Sequence, residues 1–365
     1  MRRLVCGFIC AAVMLCGLSC PVSGIDTGAA SAILVDAASG RVLYRHNADD
    51  IRYIASITKL MTALVVMESG VRLDDTVTVL PEYTGAEGSS MYLRAGETLT
   101  VETLMYGLLL ASGNDAAVAL AYCCAGSVEA FVDQMNRKAA QLGMTGTHFV
   151  NPSGLTQEGH CSTATDMSIL AAACMRNDTI AKIVSTKSIT IGDRSFTNHN
   201  KLLWRYEGCI GMKTGYTERS GRTLISCAQR DGQQLIAVTL DDPNDWADHT
   251  ALLDYGFATY RNQTLISQGT VVARVPVKGR LIPFANITAQ CTVCYPLTSS
   301  EEVRSEITLN QTAHTPIRKG QTAGTMTFYS GEQVVGMCPL VFDNTVASNL
   351  SDGNFLQKLY RRLTA

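Results

Sequence analysis

The stretch ASITKLMTAL, residues 55–64, places Ser56 three positions before Lys59 and follows both with an apolar run that ends near Gly70. This pattern predicts a helix that starts near Ser56 and stops at Gly70, since glycine is favoured where a helix terminates in a left-handed turn. Residues three apart share a helix face, so the Lys59 amine falls within reach of the Ser56 hydroxyl. A serine in the first turn also has its amide among the N–H groups that a helix leaves unpaired, which suits it to hold an oxyanion. Lysine serves as a base only when burial or a neighbouring positive charge lowers its proton affinity. Taken singly, the two residues have plainer readings, a helix cap and a solvated lysine.

Two further triplets complete the set. Ser112-Gly113-Asn114 interrupts an otherwise apolar helical run from Thr100 to Ala121 and reads as a loop between two helices. Ser112 is suited to relay a proton to a leaving amine and Asn114 to offer its amide to a substrate backbone, although Asn114-Asp115 alone reads as an ordinary N-cap. Lys213-Thr214-Gly215 sits in a strand pattern. Lys213 and Thr214 supply a charge and a hydroxyl for a terminal carboxylate, and Lys213 is a candidate for the positive charge that Lys59 needs beside it. Gly215 has no side chain to block an extended substrate, which would lie along the strand as an added β-strand while the Tyr216 N–H completes the oxyanion hole. In isolation that glycine marks only a bulge.

The rest of the chain supplies a scaffold. Ser31–Val35 and Arg41–Tyr44 flank Ala38-Ser39-Gly40 as a hairpin, and Ser127 caps a helix that ends at Gly143. A segment through Lys213, Arg222–Cys227 and Gln234–Leu240, the last after the turn Asp231-Gly232, predict an antiparallel sheet. Pro243 and Asp245 open a helix to about Tyr260, so helices precede and follow the sheet and are expected on both its faces. Past residue 264 short alternating runs such as TVVARVPV and TAGTMTFY predict a separate all-β domain. The expected organisation is a signal at 1–24, a main domain at 25–263, a β-rich domain at 264–348 and a basic tail at 349–365. In that tail Phe355, Leu356, Leu359, Tyr360 and Leu363 share one helical face, which suits either a membrane surface or packing on its own domain.

Composition narrows the function. The 365 residues carry 30 basic and 32 acidic side chains, which gives no electrostatic case for nucleic-acid binding. Two arginines followed by an apolar run at the N-terminus predict export, with cleavage after Gly24; a lipidated Cys20 is the lesser reading, because Gly17 stands where a large aliphatic residue is usual. Outside the signal nine cysteines remain, an odd number. Cys209 and Cys227 flank a hairpin and are candidates for a disulfide, whereas Cys291 and Cys294 read as small apolar strand residues. The six histidines are scattered without a HExxH pattern, so neither a metal nor a cofactor is expected.

The three motifs in this order are a known signature of penicillin-binding proteins and class A β-lactamases. Residues 29 to about 260 resemble the low-molecular-weight penicillin-binding proteins of the D-alanyl-D-alanine carboxypeptidase family, in ASITKLMTAL, GLLLASGNDAAVALA (107–121), THFVNPSGL (147–155) and GMKTGYTERSGRTLI (211–225). The resemblance implies an α/β fold of the β-lactamase/transpeptidase type. It also implies release of the terminal D-alanine from peptidoglycan stem peptides through an acyl-enzyme on Ser56, with β-lactams as acylating inhibitors. Lys59 would then be the proton acceptor, Ser112 the assisting serine and Lys213 the carboxylate-binding lysine, at the extracytoplasmic face of the envelope. Cys161 departs from the tyrosine usual at its position. A β-lactamase is disfavoured because Glu158 is followed four residues later by Ser162, not asparagine, and the middle motif is not Ser-Asp-Asn. A DD-endopeptidase would use the same residues on a longer substrate; a sensor would be marked by a lost nucleophile or base, and both are present.

Overall fold

The computed structural model describes residues 25–276, 284–310 and 316–346. The signal expected at 1–24 and the tail expected at 349–365 lie outside them.

Apolar residues on both parities of the central strands decide the layering, because a sheet covered on both faces needs side chains buried in both directions. The strands run in the order Val42–His46, Ser31–Asp36, Gln233–Leu240 and Gly221–Arg230, all antiparallel, with Cys209–Gly211 and Thr214–Thr217 along the far edge. Leu34, Leu224, Leu235 and Ala237 pack in one cluster with Leu252 and Leu253 of the helix Asp245–Thr259. The alternate residues Ile33, Val35, Ile225, Ile236 and Val238 belong to the larger core on the other side, with the helices Lys59–Glu68 and Ala164–Met175. Helices therefore cover both faces, as the sequence predicts.

Lys59–Glu68 is buried from Lys59 through Val66, as expected for a helix apolar all round its axis. The helices Val101–Leu109, Asn114–Ala125 and Val128–Leu142 surround it. Thr100, Ser127 and Thr163 cap their helices by accepting a backbone N–H three residues on, and Gly143 closes one at φ +78°.

Four local readings change. Ser56 lies in a 3-10 turn, Ala55–Thr58, and the α-helix begins only at Lys59. The segment through Lys213 is two short strands, because left-handed backbone at Gly211 (φ +106°) and Met212 (φ +95°) breaks it just before the lysine. Cys209 and Cys227 are both free thiols: the bulge at this break pairs Cys209 with Ala228 and Gly211 with Cys227, which puts the two cysteines out of register. Cys294 is on a strand but exposed, and Cys291 lies in the turn before it.

The C-terminal part is all-β: a five-stranded antiparallel sheet and a two-stranded ribbon, Arg261–Ile266 with Val293–Leu297. Arg41 joins it to the main sheet. Its Nη1 donates to Pro296 O at 2.5 Å, it pairs with Glu301, and its guanidinium stacks over Tyr260 and Tyr295.

Candidate active site

The 3-10 turn matters to the chemistry, because side chains three apart eclipse one another there. Lys59 Nζ donates to Ser56 Oγ at 2.9 Å, and also to Asn114 Oδ1 and Ser153 O, each at 2.6 Å. Lys59 is fully buried. Burial, reinforced by the Lys213 charge and opposed by Asp115, holds its ammonium well below the ordinary lysine range.

Asn114 is fixed at both ends, since its Nδ2 donates to Glu87 O at 2.5 Å while its Oδ1 faces Lys59. One Nδ2 hydrogen stays available. Asp115 is buried and accepts from the backbone N–H groups of Met91 and Leu93 and from Ser90 Oγ, so it ties the 89–93 loop to the second motif. Lys213 Nζ donates to Ser112 Oγ at 3.0 Å and to Thr214 O at 2.9 Å. Its burial brings its proton affinity down to about 7.

The edge strand Thr214–Thr217 exposes the groups a peptide needs. Lys213 and Ile225 exchange both backbone hydrogen bonds, so the alternation of an antiparallel ladder turns the N–H of Tyr216 away from the sheet. Gly215 is the residue between. A β-carbon there would stand 2.9 Å from the Ser56 amide nitrogen, inside contact distance, which explains glycine at this position. The cleft between this strand and the two serines is about 330 Å³, and Ser56, Ser112, Thr214, Gly215 and Tyr216 all line it. Asp245, the one acidic wall residue among those described, pairs with Arg222. Among the described residues no glutamate lines it.

All eight residues singled out from the sequence converge here. Sequence reading missed the layer that supports them. Ser153 belongs to the PSGL turn, where a β-carbon on Gly154 (φ +86°) would fall 1.9 Å from Ala55 O, so only glycine lets that turn press against the nucleophile's turn. His160 accepts from Val150 N at Nδ1, which leaves its Nε2 hydrogen for Thr58 Oγ1 at 2.8 Å. Backbone strain also went unread: Ala55 (φ +49°), Ser112 (φ +61°) and Met212 (φ +95°) put one left-handed non-glycine residue in or beside each motif.

Known proteins match this architecture along most of its length. Residues 19–244 match the family described as D-alanyl-D-alanine carboxypeptidase, and residues 260–348 match the C-terminal domain of penicillin-binding protein 5. The D-alanyl-D-alanine carboxypeptidase DacF of Bacillus subtilis is 35% identical over 86% of this chain and 84% of its own. Its counterpart DacA of Escherichia coli is 32% identical over 91% and 86%. Penicillin-binding protein 5 of Haemophilus influenzae superimposes with a TM-score of 0.76 at 29% identity, over 90% of this chain and all of that one. With a serine on the cleft wall and a buried lysine behind it at the head of an open sheet edge, the chain belongs to the D-alanyl-D-alanine carboxypeptidase family of penicillin-binding proteins, serine hydrolases that release the terminal D-alanine of peptidoglycan stem peptides and are acylated by β-lactams.

Proposed function

We propose that Ser56 is the acylated nucleophile of this carboxypeptidase, Lys59 its base and Ser112 the donor to the leaving amine. The observation that carries the reading is the coordination of Lys59. As an ammonium it has three hydrogens for three acceptors; once deprotonated it keeps two, for Asn114 and Ser153, and its lone pair meets the Ser56 hydroxyl. Ser56 Oγ attacks the penultimate D-alanine carbonyl as its proton passes to Lys59, and the oxyanion rests on the Ser56 and Tyr216 N–H groups. Ser112 gives a proton to the departing D-alanine and regains one from Lys213. In deacylation the attacking water's proton returns to Lys213 through Ser112, and Lys59 returns its own to Ser56. Thr214 and Gly215 line the substrate's path and Asn114 offers its remaining hydrogen to the peptide backbone.

The same proposal removes residues 1–24 on export, places the main domain at 25–263 outside the cytoplasm, leaves 264–348 as a second domain and sets the 349–365 tail against the membrane surface. No described helix is both long and apolar enough to cross a membrane. The test is incubation of the mature protein and its Ser56→Ala variant with a D-Ala-D-Ala-ended muropeptide and with penicillin. Free D-alanine and a penicillin adduct in the parent, both missing from the variant, support the assignment. An adduct that survives Ser56→Ala moves the nucleophile elsewhere.

A further inference from the structure

A substrate that ends in a carboxylate needs a positive charge at the far end of the cleft, and Lys213 is poorly placed to give it. It is only 1% exposed, and it is engaged by Ser112 and by the Thr214 carbonyl. His199 also lines the cleft, but burial and the Lys213 charge lower its proton affinity and leave it neutral.

Arg222 has the missing geometry. It lies directly opposite Tyr216 across the strand pair, so the two side chains leave the same face, and Thr214 is its diagonal neighbour on that face. The guanidinium is anchored from one side only: Nη2 donates to both carboxylate oxygens of Asp245, at 2.8 and 2.9 Å, and the group lies over the Trp246 ring. Nε is buried without a partner, and Nη1 makes no hydrogen bond among the described residues. Asp245 is itself 4% exposed at its side chain whereas that of Arg222 is 42% exposed, so the acid forms a fixed seat and the guanidinium the accessible surface.

Resting on the carboxypeptidase reading above, we infer that Arg222 is the specificity-determining residue for the substrate's terminal carboxylate, which it receives at Nη1 beside the Thr214 hydroxyl, with Asp245 as the positioning residue that aims it. The enzyme's preference for a free D-alanine carboxylate over a capped end therefore depends on Arg222, not on Lys213.

The test compares diacetyl-Lys-D-Ala-D-Ala with its C-terminal carboxamide in the full mature chain. In the parent kcat/KM favours the acid. Arg222→Gln is expected to lower kcat/KM for the acid by about 10- to 100-fold, the range of one charge-assisted hydrogen bond, and to leave the amide almost unchanged, so that the preference collapses. Arg222→Lys, which keeps the charge, is expected to retain part of the preference, and circular dichroism verifies that each variant is folded. Lys201, an exposed cation on the same cleft, is the control. A preference unchanged in Arg222→Gln, or lost in Lys201→Gln, overturns the inference while leaving the serine–lysine chemistry intact. Failure of the parent to release D-alanine or to be acylated by penicillin would instead overturn the reading beneath it.

Discussion

Lys213 Nζ donates to Ser112 Oγ across 3.0 Å, which joins the second and third motifs into one hydrogen-bonded unit although 101 residues separate them. Truncation at Ser112 breaks that unit without touching the nucleophile. Ser112→Ala is therefore expected to lower the rate of D-alanine release by about 10²- to 10⁴-fold, the usual worth of a positioned proton donor. Steady-state assay beside a circular dichroism melt separates this loss from unfolding.

The two lysines give the pH profile opposite limbs. Activity rises as Lys59 loses its proton, and it falls as pH climbs through about 7 and Lys213 deprotonates. Stability runs the other way: the folded protein holds the Lys213 proton less tightly than the unfolded chain does. Unfolding therefore gains protons between about 7 and the ordinary lysine value of 10.5, and stability rises with pH in that window. Arginine keeps its proton through this range and cannot pass one to Ser112, so Lys213→Arg is expected to lower kcat/KM at every pH and to remove the alkaline limb from the activity that is left. A limb that persists in that variant assigns it to another group.

On the acid side two buried histidines work against the fold, partly offset by Asp242, whose carboxyl burial raises to about 6. His249 sits between Ser226 Oγ and Thr239 Oγ1, and burial lowers it to about 3; His160 is lowered to about 4. Each is held neutral in the fold and must charge on unfolding, so stability falls as pH drops from 6.5 toward 4. Urea titrations at pH 7, 5.5 and 4.5 should show the midpoint fall, and His249→Gln should flatten the slope. An unchanged slope would remove His249 from the account.

Gly154→Ala drives a β-carbon into Ala55 O and asks alanine to adopt φ +86°. The expected loss is about 2–4 kcal/mol, in the range of changes that combine a steric clash with backbone strain. The Ser153 carbonyl would shift with it, so penicillin acylation should slow in the variant even where it remains folded. Equilibrium unfolding and intact-mass kinetics read the two effects.

Cys291 and Cys338 hold their sulfurs 3.7 Å apart. Gln290 N donates to Pro339 O, which extends the Ala289–Leu340 register one step past the strand end and sets the two cysteines face to face. Oxidised glutathione is expected to close this pair: the two thiols give up two hydrogens and two electrons, and the reagent leaves as two thiols. Seven of the nine free cysteines should remain titratable, with a gain of about 4 kcal/mol from loop closure. Cys338→Ser should abolish the gain.

Much of the site was legible in the sequence because its residue types are scarce and its three motifs fall at predictable places, a helix start, an interhelical break and a strand. The helices on both sheet faces followed from the pattern as well. What escaped depends on tertiary contact. Nothing in ASITKL states that Ala55 will be left-handed or that Gly154 will lie against its carbonyl. Cys209 and Cys227 look paired until a bulge at Gly211 and Met212 shifts the register. Arg222 reads as an ordinary strand residue, and only Asp245, 23 positions on, turns it toward the cleft.

The left-handed residues Ala55, Ser112 and Met212 carry one further consequence. Each is a position where glycine would relax the backbone. A search for thermostable descendants would therefore be drawn to the three catalytic corners and would trade turnover for heat resistance at each of them. Asn47, Tyr92, Asp231 and Asp241 share the left-handed backbone away from the three motifs, so relaxing those four carries no such trade.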